Sequence, residues 1–296
     1  MRKSIGDAGR TLAAVAAAAF ALSACGGGGA APPTGLPVAN STQRLVPDAG
    51  ARSKGLGKIQ HVIIIVQENR SFDNLFQGFP GADTQSYGYA SNGQKIQLQP
   101  TGLETNWDID HSSYSYFDAC DGQGSFPGTD CKMDGFDKEN NGCYHNCLSY
   151  PPYAYVPRAE TKPYFTMGKQ YVLADRMFAS NFDGSSFISH QYIIAAQANS
   201  AVNYPTSVWG CDGGPSDKIY TVTQQRGYGP SIQVCFDNQT LGDELDTAKV
   251  SWRFYTADLN GDGNLWSAYQ AINHIRNGPD WSTDVVSPQT KFFQDV

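Results

Sequence analysis

The chain has 296 residues, of which 40% are hydrophobic and 17% charged, and its formal net charge is −7. These values suit one large folded domain or two small ones. They exclude a disordered polyelectrolyte and a basic nucleic-acid-binding surface, so no nucleic-acid partner is expected. Aromatic residues make up 12%, and 31 glycines with 16 prolines predict a globular protein with many turns.

Met1, Arg2 and Lys3 open a basic segment reaching Arg10, and an apolar stretch follows over residues 11–22. That stretch is shorter than the ~20 residues of a membrane span and has the length of a signal-peptide core. Leu22-Ser23-Ala24-Cys25 resembles the lipobox of bacterial lipoproteins. The resemblance implies export, lipidation of Cys25, and anchoring in the cell envelope on the periplasmic side, with the outer membrane as the expected site. An ordinary signal peptide with an incidental cysteine is the alternative. Residues 1–25 are thus expected to be a lipoprotein signal peptide, residues 26–57 a flexible linker, and residues 58–296 the folded domain. The seven cysteines less Cys25 leave six, which in an exported chain predicts up to three disulfides, with 15 pairings open. Cys143, His145 and Cys147 have the donor types of a zinc site. No second cysteine pair stands at zinc spacing, which favours disulfides.

Residues 61–66, His-Val-Ile-Ile-Ile-Val, read as a strand buried on both faces of a parallel sheet. Glu68 and Asn69 follow at its C-terminal end, where open α/β sheets bind ligands. A carboxylate and an amide carbonyl there can hold a hard cation through oxygen, and a solvated Asx turn is the plainer reading. Ser71 is placed to cap a short helix containing Asn74 and Leu75. Residues 82–155 are polar, aromatic and rich in Gly, Asp, Asn and Cys. They read as a disulfide-stapled loop insertion over the active-site face. Within them Trp107-Asp108-Ile109-Asp110-His111 joins two carboxylates to an imidazole, either to hold a phosphate or leaving group or as a surface Asp–His turn.

Residues 164–177 read as helical with a break at Gly168. Asp183-Gly184-Ser185-Ser186 precedes an apolar helical run over 188–197. This sets a hydroxyl at a helix N-terminus, where unpaired N–H groups and the helix dipole favour phosphate. A plain serine cap is the alternative. His190 lies four residues after Ser186 on the same helical face, where it either assists proton transfer or packs. Residues 241–248 predict a short amphipathic helix and residues 250–255 a half-buried strand. Asp258, Asn260 and Asp262 match the first half of a calcium loop, but the twelfth position is Tyr269 rather than Glu, so the Ca²⁺ signal is weak. The order of strand, loops, helices and strand indicates an α/β fold.

The stretch Val62-Ile63-Ile64-Ile65-Val66-Gln67-Glu68-Asn69-Arg70-Ser71-Phe72-Asp73-Asn74-Leu75-Phe76 resembles the opening of the bacterial phosphoesterase family, which contains acid phosphatases and phospholipases C. Asp108-Ile109-Asp110-His111, Met133-Asp134-Gly135-Phe136, Tyr171-Val172-Leu173-Ala174-Asp175 and Val250-Ser251-Trp252 resemble later family segments in the same order. The resemblance implies an alkaline-phosphatase-like, mostly parallel sheet between helices. It implies Glu68 and Asn69 as ligands of a divalent metal ion (Ca, Mg, Mn or Zn), His111 as a phosphate-pocket residue, and a phosphate ester as substrate. Aligned on Tyr192, the family's nucleophile motif falls on Gly184-Ser185-Ser186. Ser186 is then both nucleophile and metal ligand, although Ser185, Ile188, Ser189 and His190 depart from the phospholipase version. A serine there is similar to the acid phosphatase branch. The expectation is therefore a metal-dependent, acid phosphatase-like hydrolase acting through a serine phosphoenzyme. The alternatives are a phospholipase C-type phosphodiesterase and a non-catalytic phosphate- or ligand-binding surface lipoprotein. In the family an Asp-Asp pair and further histidines follow the segment that Lys291-Phe292-Phe293-Gln294-Asp295-Val296 resembles. A C-terminally incomplete domain is expected on that basis, inactive alone or completed by a C-terminal partner fragment.

Overall fold

The computed structural model describes residues 59–123, 130–143, 145–206, 210–259 and 266–296. Cys25, the signal and linker segments, and the calcium-loop residues Asn260 and Asp262 lie outside the described residues. The chain divides into two units, Met1–Val66 and Gln67–Val296. Of the first, residues 59–66 are described, and they form no strand: Val62, Ile63, Ile64, Ile65 and Val66 are between 56% and 81% exposed. The buried strand predicted from this run is therefore not formed. β-Branched residues favour extended backbone, but a strand also needs a hydrogen-bonding neighbour. No strand pairs with these residues among those described.

The second unit opens with α1 (Phe72–Phe76), a hairpin of β1 (Tyr87–Tyr89) and β2 (Lys95–Gln97), then β3 (Gln99–Pro100), α2 (Ser113–Cys120) and β4 (Ala154–Tyr155). It continues with α3 (Arg158–Gln170), α4 (Ser186–Ala195), a second hairpin of β5 (Lys218–Val222) and β6 (Tyr228–Gln233), and α5 (Leu241–Thr247). It ends with β7 (Phe254–Tyr255), α6 (Asn273–Arg276), α7 (Asp280–Thr283), β8 (Val285–Val286) and α8 (Phe292–Asp295). The hairpins are antiparallel, while β3 with β4 and β7 with β8 form parallel pairs. The fold is mixed α/β with small two-stranded sheets, and the large parallel sheet of the expectation is not formed among the described residues.

Local signals placed several elements well. Ser71 Oγ accepts from the Asn74 N–H at 3.3 Å and caps α1. Thr240 and Asp243 form a reciprocal capping box at the start of α5. Other expectations need correction. The region over 82–155 contains α2 and four short strands as well as loops. The strand expected over 250–255 shrinks to Phe254–Tyr255, because only these two residues find a partner, in β8. Helix α3 starts at Arg158 and passes through Gly168 without a break. Glycine serves close packing there: a Cβ at 168 would lie 3.0 Å from the Phe79 ring.

The main core gathers around α4. Phe187, Ile188 and Ile194 pack with Ile219, Val234, Phe236, Tyr269, Ile272 and Ile275. Full burial of each such side chain contributes roughly 1.5–3 kcal/mol, which anchors α4 in the core. Gln191 is wholly buried in the same helix and donates to Ala268 O at 2.9 Å. Phe236 and Ile272 bridge in parallel and tie the end of the second hairpin to α6.

Three disulfides join Cys120 to Cys131, Cys143 to Cys147, and Cys211 to Cys235, which removes the zinc alternative at Cys143 and Cys147. They are compatible with an exported protein. No described helix is long and apolar enough to cross a membrane. The Cys211–Cys235 bond spans 24 residues and Cys143–Cys147 spans 4. Loop-closure entropy assigns them roughly 3–4 and 2 kcal/mol respectively. Replacing Cys211 and Cys235 together by alanine should therefore lower the unfolding free energy in urea by about 3 kcal/mol, and replacing Cys143 and Cys147 by less.

His274 in α6 places Nδ1 2.7 Å from Asp237 Oδ1 and Nε2 2.9 Å from Asp243 Oδ1. With a carboxylate against each nitrogen, the arrangement is fully satisfied only when both nitrogens carry hydrogen, as in the imidazolium. Burial pulls the pKa of His274 down, but the bonds to Asp237 and Asp243 outweigh it and hold the value above ordinary. A raised histidine pKa gives stability that is complete below the unfolded value near ~6.5 and is lost as pH rises through the folded value. Thermal melts should fall in midpoint from pH 6 towards pH 9, and His274→Gln should flatten that slope.

Candidate active site

Glu68 has no regular element of its own and is held by its neighbours. Gln67 Nε2 donates to Tyr164 OH of α3 at 2.8 Å. Arg70 bonds Asn74 Oδ1 and Gly102 O, each at 3.4 Å, and also Leu103 O. These anchors hold the chain on either side of Glu68, whose carboxylate faces the start of α4, where Ser186 Oγ lies 3.5 Å from Oε1 and 3.4 Å from Oε2. Residues 118 apart in sequence thus meet at one point.

The turn that presents Ser186 is built by Asp183, which is fully buried. Its Oδ1 accepts the Ser185 N–H at 2.9 Å, an Asx turn, and its Oδ2 accepts the Asn203 N–H at 2.5 Å. Ser185 Oγ donates to Asn203 O at 3.0 Å, so side chain and backbone lock the two segments together. Burial raises the pKa of the Asp183 carboxyl above its ordinary value, although the N–H groups of Ser185 and Asn203 pull it back. Ser185 is the N-cap residue of α4 but makes no side-chain cap. The Ser186 N–H donates to Tyr204 OH at 3.4 Å, and burial raises the Tyr204 phenol against the hydrogen bonding of Ser186.

His190 stands one turn after Ser186, with Nε2 3.8 Å from Glu68 Oε2 and Nδ1 3.1 Å from Trp266 O. The indole of Trp266 donates to Glu68 Oε1. Glu68, Ser186, His190 and Trp266 therefore form one cluster, and Tyr204 borders it. The sequence pointed to Glu68, Ser186 and His190. It gave no sign of Trp266 or Tyr204, neither of which sits in a recognisable motif. The Asp183-Gly184-Ser185 Asx-turn pattern was the one local signal for the supporting turn.

The remaining predicted residues sit differently. Asn69 is exposed, next to Glu68 in the chain. The His111 ring lies 3.2 Å from Asp108 Oδ1, the Asp–His pairing of the plainer reading. Its backbone abuts the Ser186 turn, since a Cβ on Gly184 would come 3.3 Å from His111 O. Asp258 lines a cavity of about 530 Å³ with Asp212, Gln270, Arg276 and Trp281, and no residue of the cluster is among its lining. Arg276 in that cavity pairs with Asp212 at 2.8 Å.

Two oxygens bound 2.3–2.6 Å from one hard cation at a right angle lie roughly 3.3–3.7 Å apart. The Glu68–Ser186 separations of 3.4 and 3.5 Å fall in that interval. The pair therefore fits as neighbouring ligands of a divalent cation, with Asn69 adjacent. Among the described residues no group of three His, Cys, Asp or Glu side chains stands where it could hold a metal ion, so this pair would supply only part of a coordination sphere.

A sequence model of the Phosphoesterase family matches residues 59–295. No curated protein and no solved structure matches the chain.

If Asp183 fixes the turn, removing it strands two N–H groups that now bond a buried carboxyl. Asp183→Ala should destabilise the protein by about 3 kcal/mol in urea titration, and Asp183→Asn, which keeps one acceptor oxygen, by clearly less.

Proposed function

The chain belongs to the Phosphoesterase family, and from that premise we propose that it hydrolyses phosphate monoesters through a phosphoserine formed at Ser186. Phosphoric ester hydrolysis and a phosphate ester substrate follow from the family itself. The finer reading rests on one observation, the Ser186 hydroxyl lying 3.4 Å from the Glu68 carboxylate at the first residue of α4.

In this reading Ser186 donates its hydroxyl hydrogen towards Glu68, which turns an oxygen lone pair away from the carboxylate and towards an incoming phosphorus. The start of α4 contributes the positive end of its dipole to the phosphoryl oxygens. Attack forms the Ser186 Oγ–P bond as the bond to the leaving alkoxide breaks, and the proton that the serine hydroxyl gives up towards Glu68 passes to the alkoxide, which leaves as the alcohol. Water then cleaves the phosphoserine, restoring the hydroxyl and releasing inorganic phosphate. Tyr204 holds the Ser186 backbone, and Asp183 keeps the turn in place.

A phosphate ester is an anion and Glu68 is a carboxylate, so the two repel unless positive charge stands between them. Glu68, Asn69 and Ser186 would hold a divalent cation there, which when bound supplies that charge and eases ionisation of the serine hydroxyl. His111, beside the turn, would contact the phosphate after its ring leaves Asp108.

The test uses a chromogenic phosphate monoester and a phosphocholine ester, each with and without a chelator. Turnover of the monoester should exceed that of the choline ester, stop with chelation, and fall by roughly 10³-fold or more in Ser186→Ala. Undiminished turnover in Ser186→Ala would reject the serine route, and preference for the phosphocholine ester would move the chain to the phospholipase C branch.

A further inference from the structure

We propose that Trp266 is a positioning residue that fixes the Glu68 carboxylate over the Ser186 hydroxyl. The role assigned to it rests on the reading of Ser186 and Glu68 above, but the contacts that argue for it do not. Trp266 reaches both neighbours of Ser186 at once. Its indole N–H donates to Glu68 Oε1, and its main-chain carbonyl accepts from His190 Nδ1 at 3.1 Å. A circuit results: Ser186 Oγ to Glu68, Glu68 to Trp266, Trp266 to His190, and His190 back to Ser186 through one turn of α4.

The location of Trp266 is set by α4 itself. His190 holds the carbonyl of residue 266, and the adjacent Gln191 holds the carbonyl of residue 268 at 2.9 Å. The segment that carries the indole is thus registered against the helix that carries Ser186. Glu68, by contrast, lies on backbone without regular structure and contacts Ser186 only at 3.4–3.5 Å. At that length the serine contact is too weak to hold the carboxylate by itself.

The chemistry of the donor matters. An indole N–H donates and cannot accept, and it carries no charge. It therefore fixes the direction of the carboxylate without neutralising it, whereas a lysine or arginine in the same place would cancel the negative charge.

Trp266→Phe keeps an aromatic side chain, though a smaller one, and deletes the donor. In ¹⁵N-labelled protein the indole resonance that disappears in this variant identifies Trp266, and the other indole resonances report whether the variant is folded. The Trp266 resonance should lie downfield in the parent protein, shift upfield in Glu68→Gln, and stay in place in Ser186→Ala. With a phosphate monoester, Trp266→Phe should lower kcat roughly ten- to a hundredfold with little change in KM, as loss of one charge-assisted bond to an aligned carboxylate requires. A Trp266 resonance indifferent to Glu68→Gln would overturn the proposal, however hydrolysis behaves, and so would an unchanged kcat in Trp266→Phe. If the resonance follows Glu68 while the parent protein hydrolyses no ester, the positioning contact stands and the hydrolase reading fails.

Discussion

The buried carboxyl of Asp183 is the constraint on which the arrangement depends. By accepting N–H groups from Ser185 and Asn203 it joins the segment before α4 to the segment after it. Asn203 then extends the tie: its Oδ1 accepts the N–H of Ser113 at 2.8 Å and so secures the start of α2. Tyr204, the next residue, reaches the Ser186 N–H. One side chain therefore determines where α4 begins, where its first hydroxyl points, and which segments lie beside it. Burial of Phe187, Ile188 and Ile194 fixes the rest of the helix, so the start of α4 is rigid on both its polar and its apolar side.

Against that rigid start, Glu68 comes from a stretch without regular structure. Its alignment is the sum of separate anchors: Gln67 on Tyr164, Arg70 on the 102–103 backbone, and the Trp266 indole. The division suits phosphoryl transfer, in which most of the acceleration comes from holding groups in line and placing charge. In the proposed reaction Ser186, on a packed helix, would supply the line, and the Glu68 carboxylate would supply part of the seat for a cation.

How much was legible beforehand differs by element for physical reasons. Helices α1, α4 and α5 were readable because caps and apolar spacing act over a few residues. The Ile-rich run over 61–66 reads as a buried strand and yet lies exposed, because apolar composition states a preference for burial, while burial also needs a partner. Gly168 reads locally as a helix breaker, but its role is contact with Phe79, more than eighty residues earlier in the chain. Cysteine count gave the number of disulfides among the described residues and left their pairing to the fold. At the site, Glu68 and Ser186 were singled out by their motifs, but their proximity was not in the sequence. Trp266 was invisible because its partner lies 198 residues away and no local pattern marks it.

The central claim is that Ser186, aligned by Glu68 at the head of α4, accepts the phosphoryl group. Acid quenching of the protein during turnover of a phosphate monoester, followed by peptide mass spectrometry, tests it most directly. The account predicts one phosphoryl group on the peptide containing Ser186, located on that residue. Hydrolysis that proceeds with Ser186 unmodified, or a phosphoryl group found on another side chain, would contradict it.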